Sequence, residues 1–247
     1  MRVPDAVTRA LQDARSIGVL TGAGVSAESG IATFRDAQTG LWSQFRPEDL
    51  ATPEAFERDP ELVWKWYAWR REQVTEADPN PGHRALAQLQ QLRPTQIVTQ
   101  NVDGLHQRGG AKDVIELHGS IMRTLCHRTL EPVDDDYLAK QTALPPPSPH
   151  HPDGLCRPGV VWFGEALPGV ALQRAFAIAE ASDVFISAGT STVVEPAASL
   201  PLAAKRAGAF LIEINPAQTP LTPHCDATLL GPSGEVLPQL VESLATT

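Results

Sequence analysis

Short β-rich apolar runs alternate along this chain with amphipathic segments of helix length, the pattern of a parallel sheet covered by helices. Strands are expected at residues 17–21, 96–99, 114–117, 184–188, 210–214 and 227–230. Several of these runs are apolar throughout, as in strands buried on both faces. Helices are expected at 5–14, 82–92, 171–181, 195–207 and 235–244. Two stretches interrupt the alternation. Residues 36–80 hold a loop and a long aromatic helix without a convincing strand, and 120–159 hold a proline cluster that includes Leu144-Pro145-Pro146-Pro147-Ser148-Pro149. Proline lacks the backbone N–H, so this cluster cannot join a helix interior or a central strand. The expectation is an α/β fold forming one domain. A Rossmann-like doubly wound parallel sheet would occupy about 1–35, 81–119 and 160–247, with a helical insertion at about 36–80 and a small proline-rich insertion at about 120–159.

Composition narrows the function. The 247 residues are 42% hydrophobic and 20% charged, which excludes a disordered chain. With 29 acidic and 20 basic residues the net charge is −9, which argues against direct nucleic-acid binding through a broad basic surface. No run of 18 apolar residues exists, so no membrane span is expected, and residues 1–15 lack the apolar core of a signal peptide. Three scattered cysteines, Cys126, Cys156 and Cys225, are too few for a disulfide framework and point to a reducing, cytoplasmic setting. The 22 prolines are the outlier, seven of them lying between Pro132 and Pro158.

The run at 17–21 leads directly into Gly22-Ala23-Gly24-Val25-Ser26-Ala27, a Gly-x-Gly-x-x-Ala turn placed where dinucleotide-binding folds put theirs. Glycines there let the backbone approach a pyrophosphate. A dehydrogenase would need a second strand with an acidic end about 20 residues on. The stretch 38–45, Gln-Thr-Gly-Leu-Trp-Ser-Gln-Phe, is no such strand, which argues against hydride transfer.

The chain continues Gly30-Ile31-Ala32-Thr33-Phe34-Arg35-Asp36, then Thr99-Gln100-Asn101-Val102-Asp103-Gly104-Leu105-His106, Glu116-Leu117-His118-Gly119, Val160-Val161-Trp162-Phe163-Gly164-Glu165 and Gly189-Thr190-Ser191. These five motifs, in this order over nearly the whole chain, resemble the sirtuin family of NAD-dependent protein deacylases. The resemblance implies an enzyme that consumes NAD to free acylated protein lysines, yielding nicotinamide and O-acyl-ADP-ribose. Such chemistry needs a base of near-neutral pKa to activate a ribose hydroxyl, a task suited to histidine. His118 matches that position, with Asn101 as a second catalytic group ordering the ribose and a water. Gln100 would meet the nicotinamide ribose, and Asp103 beside Val102 the carboxamide. The resemblance assigns the cofactor loop to Gly22, Ala23, Gly24, Ser26, Ala27, Glu28, Ile31, Thr33, Phe34, Arg35 and Trp42. It assigns phosphate contacts to Gly189, Thr190 and Ser191, the adenosine ribose to Asn215 with Pro216 and Ala217, and the adenine to Ser233.

Asp59-Pro60 is a good helix start, an N-cap followed by proline at the first position. Leu62, Trp66 and Trp69 form one stripe of that helix and read as core, while Tyr67 and Arg70, three apart, project together on a neighbouring face. A phenol and a guanidinium converging in an apolar pocket make a carboxylate receptor. Tyr-x-x-Arg resembles the pair of class III sirtuins, which remove succinyl and malonyl groups, and Ala37 fits the same class. Val161 and Phe163 would clasp the substrate peptide by strand addition.

Sirtuins usually hold a structural zinc with two Cys-x-x-Cys pairs in the second insertion. Here Cys126 matches the first cysteine, but Thr129 stands three residues later, and Cys156 lies too near Val160-Val161-Trp162 to be a ligand of the family type. Zinc is therefore expected to be absent. The alternative is a non-standard set drawn from Cys126, His127, His150 or His151, and Cys156. Cys225 reads as a structural thiol. Two other functions stay open: mono-ADP-ribosyl transfer or NAD hydrolysis, and a non-catalytic NAD-sensing module. Protein substrates, acyl preference and oligomeric state are not legible.

Overall fold

The computed structural model describes residues 3–31 and 45–245. The strands are β1 Ile17–Thr21, β2 Thr95–Thr99, β3 Ile115–Glu116, β4 Gly119–Cys126, β5 Cys156–Val160, β6 Val184–Ala188, β7 Phe210–Asn215 and β8 Ala227–Leu230. The helices are α1 Asp5–Asp13, α2 Pro47–Leu50, α3 Pro53–Arg58, α4 Pro60–Glu76, α5 Pro81–Leu92, α6 Leu105–Arg108, α7 Asp135–Leu138, α8 Gly169–Ala181, α9 Leu200–Arg206 and α10 Ser233–Ala245. No helix among the described residues is long and apolar enough to cross a membrane.

The described residues divide into two compact units. The first gathers 3–31, 78–117 and 168–245 around a six-stranded parallel sheet of order β3-β2-β1-β6-β7-β8. Every residue of β1 and of β6 is buried, which is why both read as mainly apolar runs, with Thr21 and Ser187 the polar exceptions. On one face Ile17, Val19, Ile97, Ile186, Ile212 and Ile214 share a core with Leu11 of α1, Leu86 and Leu89 of α5, and Leu237 and Leu240 of α10. β1 lies at the centre, with β2 on one side and β6 on the other. The chain order reverses there, so the carboxyl ends of β1 and β6 flank the crevice where such sheets bind ligands.

The second unit joins 45–77 to 118–167. The two expected insertions thus cluster into one body, and 160–167, expected with the Rossmann part, belong to it. β4 and β5 form an antiparallel two-stranded sheet that the proline-rich reading did not anticipate. α4 starts where Asp59-Pro60 places it, the Asp59 carboxylate accepting from Leu62 N–H at 3.0 Å. Its buried face differs from the expected stripe. Val63, Trp66, Tyr67 and Val74 are the buried positions, whereas Leu62 and Trp69 are half-buried. Tyr67 therefore lies on the packed side, not beside it. The single helix expected at 195–207 is a 3-10 turn at Ala197–Ser199 followed by α9, which carries Pro201 in its first turn.

Candidate active site

At the ends of β1 and β6, the glycine-rich turn is fixed by backbone bonds from Gly22 N–H to Ala188 O (3.1 Å) and Gly24 N–H to Gly189 O (2.8 Å). A Cβ on Gly24 would fall 2.8 Å from Gly189 O, and one on Gly189, whose φ is +59°, would fall 2.4 Å from Val25 N. These glycines serve first to seat two loops against each other. Ala23 and Gly24 are half-buried and Ala27 is exposed beyond them. Glu28, assigned to the cofactor loop, also holds a helix start. Its carboxylate accepts from Gly234 N–H at 2.6 Å and caps the first turn of α10. Ile31 ends the described part of this loop, and Thr33, Phe34, Arg35, Ala37 and Trp42 lie outside the described residues.

Behind the turn lies a buried polar relay. Asn80 and His83 form a capping box at the start of α5, with Asn80 N–H donating to His83 Nδ1 at 3.2 Å. Nδ1 is then an acceptor, so the proton sits on Nε2 and points at Ser26 Oγ, 3.3 Å away. Ser26 also receives Asn101 Nδ2 (3.1 Å) and donates to Asp103 Oδ2 (2.7 Å). The second Asp103 oxygen accepts from Leu105 N–H at 2.9 Å. Both amide hydrogens of Asn101 are engaged, the other by Gly22 O at 3.1 Å, so its carbonyl is the group it offers a ribose or a water. Ser26, expected at the cofactor, is buried and bonds both Asn101 and Asp103.

A parallel chain fixes His106. Thr99 Oγ1 accepts from Asn101 N–H (3.0 Å) and from Thr21 Oγ1 (2.8 Å), leaving Thr21 to accept from His106 Nε2 at 2.8 Å. The alternative tautomer would bury an N–H at Nδ1, which has no partner among the described residues, and an orphaned donor is costly. Burial pushes the pKa of His83 down to about 4 against the opposing charge of Asp103, and burial together with His83 pushes His106 down to about 3. Both rings are neutral at pH 7, 4.8 Å apart. Neither was singled out from the sequence. Asn80-Pro81-Gly82-His83 does carry capping-box spacing, and His106 closes the Thr99–His106 motif, where no role was given to it.

Across β6 and β7, Gln100 Nε2 donates to Thr190 Oγ1 (3.0 Å) and Asn215 Nδ2 to Thr190 O (3.1 Å). Ser191 is half-buried beside them, and Pro216 and Ala217 are exposed after β7. Ser233 heads α10 with a buried hydroxyl that has no partner among the described residues. The first unit therefore gathers Gln100, Asn101, Gly189, Thr190 and Asn215 at the carboxyl ends of its strands, with Val102 half-buried next to them. Those amide and hydroxyl groups, with the orphaned Ser233 hydroxyl, fit a dinucleotide.

In the second unit, half-buried His118 precedes Gly119, whose φ is +77° and whose Cβ would fall 2.2 Å from Gly159 O. Only glycine serves there. His118 O accepts from Val161 N–H and Ala51 O from Phe163 N–H, each at 2.9 Å. Residues 161–163 are not a strand, and these two N–H groups are committed, so strand addition would have to use carbonyls instead. The Phe163 ring is exposed.

Between them, Trp162 is anchored from every side. Its N–H donates to Glu165 Oε2 (2.7 Å), and Arg157 stacks on its ring with Cζ 3.4 Å from the centroid. Arg157 in turn grips Glu165 in a fork at 2.6 and 2.9 Å. Trp162 Nε1–H donates to the Tyr67 hydroxyl at 3.0 Å. Arg70 Cζ lies 5.0 Å from the Trp66 ring and 5.9 Å from the Tyr67 ring. Burial, opposed by Arg70, raises the Tyr67 pKa to about 12, so the phenol stays a neutral donor. The Arg157–Glu165 clamp was not read from the sequence, where the pair is only eight residues of separation without a periodic sign.

The candidate histidine ligands are engaged elsewhere. His127 Nδ1 accepts from Leu155 N–H (2.8 Å), His150 Nε2 faces Pro132 O (2.8 Å) and His151 Nδ1 accepts from Asp153 N–H (3.1 Å). Among the described residues no three His, Cys, Asp or Glu side chains are placed to hold a metal ion. The set Cys126, His127, His150 or His151, and Cys156 does not fit a tetrahedral zinc site. Burial raises the pKa of Cys126, but hydrogen bonds from the Ser148 and Thr129 side chains and from backbone at Thr129 and Arg128 outweigh it and bring it to about 7. Ser148 and Thr129 thus meet a sulfur at the position of the first family zinc ligand.

A protein of Archaeoglobus fulgidus named NAD-dependent protein deacylase 1 is 50% identical over 238 residues, covering 94% of each chain. A crystal structure of a Sir2 homolog–NAD complex superposes with a TM-score of 0.90 at 48% identity, over 99% of this chain and 94% of that one. A Sir2 homologue mutant in complex with 2′-O-acetyl ADP ribose gives a TM-score of 0.89 at 48% identity, over 98% and 97%. A model of the Sir2 family matches residues 22–196, and with these similarities the chain belongs to the Sir2 family.

Proposed function

We propose that this protein is an NAD-dependent protein-lysine deacylase whose acyl pocket favours acidic acyl groups, succinyl or malonyl. NAD is the co-substrate: it supplies a ribose carbon with nicotinamide as leaving group and the hydroxyl that receives the acyl group. The polar ends of β1, β2, β6 and β7 would hold it. His118 is assigned as the base that takes the proton from the ribose hydroxyl, and Asn101 is assigned a cofactor contact through its carbonyl. The relatives named as NAD-dependent protein deacylases and the acetyl ADP ribose complex support the reaction class.

One observation carries the acyl preference. The Tyr67 oxygen already accepts from Trp162 Nε1–H, so its own hydrogen is directed to an acceptor, beside the Arg70 cation one helical turn on. A carboxylate answers both groups. We also propose cytoplasmic residence, which three free thiols support.

Turnover of acetyl-, malonyl- and succinyl-lysine peptides with NAD tests the reading. Arg70→Met removes a charge-assisted contact, so desuccinylation should fall roughly 10- to 100-fold, from about 1.5–3 kcal/mol, with deacetylation far less affected. Equal loss of both rates would sink the pocket assignment. Unchanged turnover in His118→Ala would remove His118 from the chemistry.

A further inference from the structure

In the antiparallel pair of β4 and β5, Cys126 stands directly opposite Cys156. The bonds around them show which kind of pair this is. His127 N–H donates to Leu155 O, whereas Cys126 N–H goes to Glu131 O and Cys156 N–H to Pro146 O. The two cysteines exchange no backbone bond, so they form a non-hydrogen-bonded pair, in which Cα atoms stand about 4.5 Å apart and side chains approach closest. That spacing lies inside the roughly 4.4–6.8 Å range that a disulfide bridges. Both side chains are fully buried, both are free thiols, and Cys156 makes only a weak 3.5 Å contact to Pro147 O. Cys225 lies in the other unit.

We propose that Cys126 and Cys156 are a disulfide-forming site, closed by a small two-electron oxidant of the peroxide class. The Cys126 sulfur attacks one peroxide oxygen. The O–O bond breaks, an S–O bond forms and water leaves, giving a sulfenic acid. The Cys156 sulfur then attacks the Cys126 sulfur. The S–O bond breaks, the hydroxyl departs as water with the Cys156 proton, and the S–S bond forms. Overall, two thiols and one peroxide give one disulfide and two waters. Burial excludes bulky disulfides and leaves a small oxidant as the reagent. The bond would close the loop from 126 to 156, tying this lobe where other family members use zinc.

The test is hydrogen peroxide treatment of the full-length protein, followed by peptide mapping without reductant. A linked pair of peptides carrying Cys126 and Cys156 is expected, with the chain lighter by two hydrogens. Under denaturing conditions one alkylatable thiol, Cys225, should remain of three, and dithiothreitol should restore all of them. Cys156→Ser should instead accumulate a dimedone-reactive Cys126. If that variant does not fold, Cys225→Ser must still lose both remaining thiols. Three alkylatable thiols after peroxide, a bond to Cys225, or sulfinic acid at Cys126 without the link would overturn the proposal.

Discussion

Glu165→Ala removes one partner of a buried ion pair, and its cost follows from what stays behind. The Arg157 side chain is 4% exposed and Glu165 26%. The mutation deletes two guanidinium–carboxylate bonds and the acceptor of Trp162 N–H, leaving an enclosed cation. Stripping a buried cation of its counter-ion costs about 3–5 kcal/mol. Water reaching the exposed quarter of the Glu165 site recovers part of this, so about 2–4 kcal/mol is expected. With a urea slope of about 2–3 kcal/mol/M, the midpoint should drop by roughly 1 M. Tryptophan fluorescence is the right probe, because Trp64, Trp66, Trp69 and Trp162 all belong to the second unit. Arg157→Met alone should also destabilise, since it leaves the carboxylate without its counter-ion. Arg157→Met with Glu165→Ala should cost less than the sum of the single changes by more than about 1 kcal/mol. A Glu165→Ala effect under about 0.5 kcal/mol, or strict additivity, would show that this pair does not hold Trp162 in place.

Acidification should destabilise the first unit before its carboxylates titrate. His83 and His106 have folded pKa values lowered to about 4 and about 3, so below pH 6.5 the unfolded chain binds protons that the folded chain refuses. Stability then rises with pH across this window, by up to about 1.4 kcal/mol per pH unit for each ring. Urea midpoints from circular dichroism at pH 7, 6 and 5 should fall in that order, and less steeply in His106→Gln; a flat parent profile would contradict the buried neutral rings. Gly119→Ala forces a Cβ to within 2.2 Å of Gly159 O at a φ of +77°. It should cost more than about 1–2 kcal/mol and depress turnover by moving His118, whereas wild-type melting and activity would refute the tight approach.

The sheet of the first unit was legible because its chemistry repeats along the chain. β1 and β6 are buried on both faces, and burial favours apolar side chains at most steps. The sheet of the second unit was not. β5 reads Cys-Arg-Pro-Gly-Val, a sequence that argues against a strand by every local rule. In a two-stranded sheet each strand is an edge, so Pro158 has a side on which its missing N–H costs no ladder bond. Arg157 is admitted to the interior by Glu165, Val160 O and the Trp162 ring, and the partnership with Glu165 depends on a turn of chain that no periodicity announces.

The site divides along the same line. Groups proposed to meet a ligand, such as Asn101, His118 and Tyr67, stand in short motifs and are found by resemblance. Groups that hold them are fixed by hydrogen-bond direction, and direction is not written in residue spacing. Asn101 shows the difference. From the sequence it is a polar residue at a strand end. In the structure Gly22 O and Ser26 Oγ engage both of its amide hydrogens, and Ser26 is itself oriented by His83 and Asp103. What Asn101 can offer a ribose is therefore decided by His83, a residue whose own proton is placed by the capping box of a helix. On the proposed role of Asn101, His83 would be a positioning residue, its tautomer linking the start of α5 to the end of β2 through Ser26.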